Sequence, residues 1–271
     1  MTEPYLSLVI PAFNEAERLP ETLTLVTRFL STRPYSWEVL VVDDGSLDDT
    51  AGAVERFVKE RTEALPSGSM VRLLRNPHRG KGYTVRTGAL AARGQIVFLC
   101  DADLSMPIDE LPKFLVKHDL GYDVVIGSRE ADGAQRFGEP AYRHVMGRVY
   151  NYVVRALTSL PFRDTQCGFK SFQRPVARDL FERLALYGAD APEITGPMVT
   201  GYDVELLYLA RKLGYRTVEV PVHWYYATGS KVNPVKDTFR MLADILRIRM
   251  NDWRGRYRPT GSPRDRAQPA G

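Results

Sequence analysis

Only two cysteines, Cys100 and Cys167, occur in 271 residues. That number excludes a disulfide framework, the two lack zinc-ligand spacing, and a reducing cytoplasm is the expected setting. Histidine is scarce too: His78, His118, His144 and His223 show no metal-ligand pairing at helical spacing, so each is read as surface or satisfied core. No stretch approaches the ~20 consecutive apolar residues that span a bilayer. If the chain meets a membrane, it is expected to lie on its cytoplasmic face. The start of the chain runs almost at once into the apolar residues 5–10, without the basic region and apolar stretch of a signal peptide, which predicts a protein that is not secreted. Internal repeats are missing, as is any local Ser-His-Asp or Cys-His motif, and Cys100 inside an apolar run is read as packing.

What is present suits a globular α/β protein. Hydrophobic residues make up 44% of the chain, enough for one large domain or two small ones. The net charge of +4 is unevenly placed. Residues 231–258 hold eight Lys and Arg against Asp237, Asp244 and Asp252, a local balance of +5. Such a patch suits an anionic membrane surface or a nucleic acid. Within it Val235, Phe239, Leu242, Ile245, Leu246 and Met250 recur at helical spacing, followed by Trp253 and Tyr257. A basic helix at a membrane surface and a helix docked on the protein core both fit this pattern. Residues 259–271 are rich in Pro, Gly and charge without apolar periodicity, as in a mobile tail.

Strand-like runs at residues 6–11, 38–43, 71–74, 96–100 and 123–126 alternate with helical patterns near 17–32, 47–62, 82–93 and 108–118. This predicts a Rossmann-like, mostly parallel central sheet flanked by helices, with ligands beyond the carboxyl ends of the strands. Polar clusters fall at those ends: Asn14-Glu15, Asp43-Asp44-Gly45-Ser46, Asp101-Ala102-Asp103 and Ser128-Arg129. Four loops are expected to converge on one crevice. After about residue 135 the alternation gives way to an amphipathic stretch at 142–157, a polar loop at 163–170, two helices and a strand at 217–222. The expected organisation is a nucleotide-binding half (1–105), an acceptor-side half of the same domain (106–230), the basic helix (231–258) and the tail (259–271).

Asp101 and Asp103 emerge where an apolar strand meets solvent. Hard cations such as Mg2+ or Mn2+ commonly bind through one or two carboxylates plus substrate phosphates, although Asp is also common in turns. Asp43 and Asp44 suit hydrogen bonds to a nucleoside, or simply an acidic first helical turn. Ser46, three residues before Asp49, resembles a capping box and is assigned to starting the next helix. Arg79-Gly80-Lys81-Gly82 opens a helix, where anions are favoured, but matches neither the Walker form nor the dinucleotide fingerprint. Asp203 and Glu205 begin another helix, and their spacing points them apart, so at most one faces a reacting centre. Arg129, Arg143, Ser230 and Lys231 have the chemistry to meet an anionic acceptor, Arg129 being best placed at a strand end.

Taken in order, Pro11-Ala12-Phe13-Asn14-Glu15, Val42-Asp43-Asp44-Gly45-Ser46, Asn76 with Gly80-Lys81-Gly82, Asp101-Ala102-Asp103 and Gly127-Ser128-Arg129 resemble family 2 glycosyltransferases of the GT-A fold. Asp164-Thr165-Gln166-Cys167-Gly168-Phe169-Lys170, Asp203-Val204-Glu205-Leu206 and Gly229-Ser230-Lys231-Val232 resemble the polyprenyl-phosphate branch, glucosyl enzymes first and mannosyl enzymes next. The resemblance implies inverting transfer of a hexose, glucose from UDP-glucose ahead of mannose from GDP-mannose, to a dolichyl-type polyprenyl phosphate. It implies that Pro11, Ala12, Glu15, Asp43, Lys81, Asp101, Ala102 and Asp103 surround the nucleotide sugar, with Mg2+ or Mn2+ on Asp101 and Asp103. Arg129, Ser230 and Lys231 would meet the acceptor phosphate, and Asp103, Asp203 and Arg129 would serve the chemistry. A hydroxyl acceptor is the alternative, with Asp203 as its base. Nucleic acid is not expected, because the basic arm lacks a base-stacking platform and the acidic crevice would repel a phosphate backbone.

Overall fold

The computed structural model describes residues 3–196, 201–226 and 234–258. Ser230, Lys231 and the expected tail therefore lie outside the described residues.

The first half alternates β1 (Leu6–Ala12), α1 (Leu19–Ser31), β2 (Trp37–Asp43), α2 (Thr50–Arg61), β3 (Met70–Arg75), α3 (Lys81–Ala91), β4 (Ile96–Leu99), α4 (Leu111–Asp119) and β5 (Val124–Ser128). Then follow β6 (Gln135–Phe137), α5 (Ala141–Thr158), β7 (Lys170–Gln173), α6 (Arg174–Glu182), α7 (Tyr202–Lys212), β8 (Thr217–Pro221), β9 (His223–Tyr225) and α8 (Pro234–Trp253). Seven strands form one sheet in the order β3-β2-β1-β4-β7-β5-β8, and β6 pairs with β9 in a separate ribbon.

Successive side chains of a strand point to opposite faces, and the core divides accordingly. Val9, Leu40, Val42, Val97 and Leu99 join the cluster built with α3, α5, α6, α7 and α8. Their neighbours Leu8, Ile10, Val39, Val41 and Phe98 join the cluster built with α1, α2 and α4. Burial on both faces explains why β2 is enclosed along its whole length and reads as an uninterrupted apolar run from Val39 to Val42. Truncating one of these Leu or Ile side chains to Ala would cost ~2–5 kcal/mol.

β1, β2 and β3 run parallel and build outward, after which the chain returns to place β4 on the other side of β1. That reversal is the topological switch point, where a crevice opens beyond the strand ends.

β7 differs from the sequence expectation. The segment expected as a polar loop ends in a strand that lies antiparallel between β4 and β5, with Leu99 opposite Lys170 and Ile126 opposite Lys170 on its other side. Because β7 runs backwards, the loop preceding it arrives at the carboxyl ends of β4 and β5, beside the acids. Local apolar periodicity does not reveal a four-residue strand whose partners are distant in sequence.

The basic helix α8 docks on the core: Met241, Ile245 and Ile248 are buried, while Leu246, Met250 and Trp253 face solvent. Among the described residues no helix is long and apolar enough to cross a membrane.

Candidate active site

A cleft of about 260 Å3 opens at the switch point, lined by Pro11, Ala12, Phe13 and Glu15 after β1, Asp44 after β2, His78, Gly80, Lys81 and Thr84 around the start of α3, and Asp101–Asp103 after β4. The expected nucleotide residues Pro11, Ala12, Glu15, Lys81, Asp101, Ala102 and Asp103 thus line one space. Asp43, also expected there, is not among the lining residues, and its Oδ1 accepts hydrogen bonds from the Ser46 N–H and hydroxyl.

Ser46 does not start α2. The cap position belongs to Asp49, and the Ser46 hydroxyl instead accepts the Asn14 N–H at 2.9 Å while the Leu47 N–H donates to Asn14 Oδ1. Ser46 is a rivet between the loops after β1 and β2. Asn14 takes φ +55°, a left-handed conformation that Asn tolerates better than most residues.

Asp44 organises the opposite wall. Its two oxygens accept the Arg79 N–H at 3.0 Å and the Gly80 N–H at 2.9 Å, and Oδ2 lies 2.8 Å from His78 Nδ1. Gly80 has φ +88°, a conformation that favours glycine, and it turns the chain into α3. The His78 ring stacks on Phe13 with centroids 4.0 Å apart, and Nε2 lies 2.9 Å from the Gly196 carbonyl. The sequence reading of His78 as surface or core is corrected: it lines the cleft. A lone histidine in a loop carries no local signal of that position.

The acids after β4 sit in a tight turn. Leu104 takes φ +46°, and Asp103 Oδ1 accepts the Ser105 N–H at 3.0 Å. Lys81 Nζ lies 2.5 Å from Asp101 Oδ1. Burial alone would raise the Asp101 carboxyl, but Lys81, then Lys170 and Arg129, hold it below the ordinary carboxylate range. Burial works against the Lys81 ammonium as well, and Asp101, Asp203 and Asp103 outweigh it, so its pKa is raised.

Asp203, at the start of α7, bonds the wholly buried Lys170, whose ammonium also donates to the Cys167 carbonyl. Glu205 points away, accepting from the Ala185 N–H and the Tyr257 hydroxyl, with its pKa raised by burial. Spacing on the helix separated these two correctly. Cys167 is buried, and its thiol is pushed up to about 12 by burial and by Asp164.

The fourth strand-end cluster departs from the expected single crevice. Arg129 lies in a neighbouring hollow of about 40 Å3 lined also by Arg136, Arg148, Asn151 and Arg163 and by the acids Glu130 and Asp164, and each of these arginines is paired with a carboxylate. Arg129 Nε and Nη2 donate to the two oxygens of Asp164 at 2.7 and 2.9 Å, a bidentate fork. Burial would raise Asp164, but Arg129 lowers it to about 2. The sequence singled out Arg129 by its strand-end position, but not its pairing with Asp164, which stands 35 residues away. Arg143 stands on α5 with its guanidinium 5.3 Å from the Tyr226 ring centre.

Among the described residues no three His, Cys, Asp or Glu side chains gather into a self-sufficient metal cage. Two carboxylates at the mouth of a phosphate-sized cleft fit Mg2+ or Mn2+ differently, since such ions take their remaining ligands from substrate phosphates and water. A lysine ammonium already rests on one of those oxygens, so the position attracts cations.

Residues 7–181 match the model of glycosyl transferase family 2. A dolichyl-phosphate beta-glucosyltransferase of Dictyostelium discoideum is 33% identical over 90% of this chain and 74% of its own length. The enzyme of the same name from Saccharomyces cerevisiae is 30% identical over 94% of this chain and 77% of its own. Among solved structures, a mannosyltransferase from Pyrobaculum calidifontis in complex with GDP-Man and Mn2+ superposes with a TM-score of 0.56 at 22% identity, covering 91% of this chain and 65% of that one. Glucosyl-3-phosphoglycerate synthase of Mycobacterium tuberculosis with Mn2+, UDP-glucose and phosphoglyceric acid gives 0.58 at 17% identity, covering 96% and 82%. The switch-point cleft with its paired aspartates, the GT-A architecture and these matches agree, and the chain belongs to glycosyl transferase family 2.

Proposed function

We propose that this glycosyltransferase moves glucose from UDP-glucose to a dolichyl-type polyprenyl phosphate with inversion, giving a β-linked lipid-phosphate sugar. The observation that carries this reading is the pairing of Asp101 and Asp103 at the switch-point cleft with a separate hollow around Arg129 that holds four arginines beside Glu130 and Asp164, in a chain whose relatives are named dolichyl-phosphate beta-glucosyltransferase. One space suits a donor diphosphate and the other an anionic acceptor.

Pro11, Ala12, Glu15 and Asp43 would hold the nucleoside end and Lys81 the diphosphate, with Asp101 and Asp103 as ligands for Mg2+ or Mn2+. Such an ion would neutralise charge growing on the departing diphosphate. Arg129, with Ser230 and Lys231 from outside the described residues, would meet the acceptor phosphate. The Asp164 fork uses only part of the Arg129 donor set, because a guanidinium carries five N–H groups.

A phosphate monoester has a second pKa near ~6 and is largely dianionic at neutral pH, so it attacks the anomeric carbon without a general base. The engagement of Asp203 with Lys170 supports this over a hydroxyl acceptor, which would need a carboxylate free to take a proton.

A lipid acceptor calls for a membrane surface, and α5 offers more to one than the C-terminal segment alone. Tyr142, Val145, Met146, Val149 and Tyr152 are 40–74% exposed along α5, which carries Arg143, Arg148 and Arg155 and no acidic residue. An apolar stripe among arginines suits an anionic bilayer. Arg148 and Asn151 of the same helix also line the hollow around Arg129. Leu246, Met250 and Trp253 of α8 remain available to contribute.

The decisive experiment incubates the protein with Mn2+ or Mg2+, a panel of UDP- and GDP-sugars and a polyprenyl phosphate, and identifies lipid products by mass. A hexosyl polyprenyl phosphate formed from UDP-glucose is expected. Product only from GDP-mannose would replace the sugar, and transfer only to hydroxyl acceptors would overturn the proposal.

A further inference from the structure

The two oxygens of Asp101 have different surroundings. Oδ2 is pressed against the backbone of Gly168, so closely that a Cβ built there would stand 2.0 Å away. Oδ1 is the oxygen left for a cation, and Lys81 Nζ holds it at 2.5 Å. Lys81 is the first residue of α3, and its side chain remains 41% exposed, so the ammonium sits at the cleft rather than locked inside the protein. Lys170, by contrast, is fully enclosed and tied to Asp203 and the Cys167 carbonyl.

We propose that Lys81 is an internal competitor for the divalent ion at Asp101, yielding Oδ1 only when a donor diphosphate offers its ammonium another partner. Two cations cannot share one carboxylate oxygen at contact distance without strong repulsion. The lysine stem is flexible and its ammonium is a compact point charge, so it can turn from the carboxylate to a diphosphate lining the same cleft. Metal and nucleotide would then bind with positive coupling, each relieving the competition that opposes the other, and the coupling must be reciprocal. The consequence for the enzyme is that the metal alone loads poorly and the metal–nucleotide pair loads well. The proposal rests on the metal-assisted reading of the site, and its test requires no sugar transfer.

Mn2+ binding is followed by the electron paramagnetic resonance of free Mn2+, with and without UDP, in the wild type, Lys81→Met, Lys81→Gln and Asp101→Asn. Lys81→Met is expected to tighten binding of Mn2+ alone by about fivefold or more, the low end of ordinary coupling strengths, and to shrink the enhancement given by UDP by a similar factor. Lys81→Gln serves as the second variant, with circular dichroism melts on both to establish folding. Mn2+ binding that is unchanged or weaker in the folded lysine variants overturns the proposal. Asp101→Asn is expected to lose Mn2+ binding; if it binds as tightly as wild type, the metal reading of the site fails at its root, independently of Lys81.

Discussion

Lys170 Nζ and Asp203 Oδ1 are 2.5 Å apart, and the lysine side chain is completely withdrawn from solvent. The pair joins the antiparallel strand β7 to the start of α7. Removing one partner strands the other: Asp203→Asn leaves a buried ammonium, at a cost of about 3–5 kcal/mol. Urea denaturation is expected to show that loss, with partial recovery in the double variant Lys170→Met with Asp203→Asn. Turnover of the folded fraction with a polyprenyl phosphate should survive in part. Its near-complete disappearance, with fold and donor binding intact, would point to Asp203 as a base and against the phosphate mechanism.

Gly168 faces Asp101 so closely that any side chain must move one of them. Gly168→Ala is therefore expected to leave the protein folded but to lower metal-dependent turnover by about 10²-fold, the scale on which small misplacements near a reacting centre are felt. Steady-state kinetics at saturating Mn2+ checks this, and wild-type kcat would contradict it.

Phe13 and His78 form a parallel ring pair at the cleft wall. Aromatic pairs contribute about 0.5–1.5 kcal/mol beyond area burial. Phe13→Ala should raise the KM for the nucleotide sugar roughly three- to tenfold, because both rings line the cleft; steady-state kinetics checks this, and an unchanged KM would contradict it.

Asp164 is held at about 2 because Arg129 overcomes the effect of burial. A carboxyl depressed in the folded state stabilises it above the ordinary carboxyl value of about 4, and that contribution fades as pH falls from about 4 towards 2. Two pKa units correspond to about 2–3 kcal/mol. Denaturant titrations between pH 5 and 2 should show a shallower loss of stability in Asp164→Asn than in the wild type. Parallel curves would contradict the assignment.

The exposed stripe of α5 should govern membrane contact. Replacing Val145 and Val149 by Asp is expected to reduce co-sedimentation with anionic vesicles several-fold at constant melting temperature. Equal partitioning of variant and wild type would sink the role of this helix.

The amino-acid order alone specified the sheet-forming half, since strands buried on both faces are apolar through their middles while the acids of the cleft stand where a strand leaves the core. Residues 39–42 followed by Asp43 and 96–100 followed by Asp101 carry that information within a few positions. The series of strand-end motifs therefore made the family and most of the residues that line the cleft legible. The partnerships of Lys170 with Asp203, Arg129 with Asp164 and His78 with Asp44 were not legible, because each joins residues 33 to 35 positions apart. Only the insertion of β7 against the direction of its neighbours brings Gly168 and Lys170 to the acids after β4. The same holds for α8, whose apolar periodicity suited a membrane or a core equally; packing against the protein assigned Ile245 and Ile248 inward and left Leu246 and Trp253 outside. Hydrophobic pattern is a local property and survives in the sequence, whereas the pairing of charges depends on which strands become neighbours, and tertiary structure alone decides that.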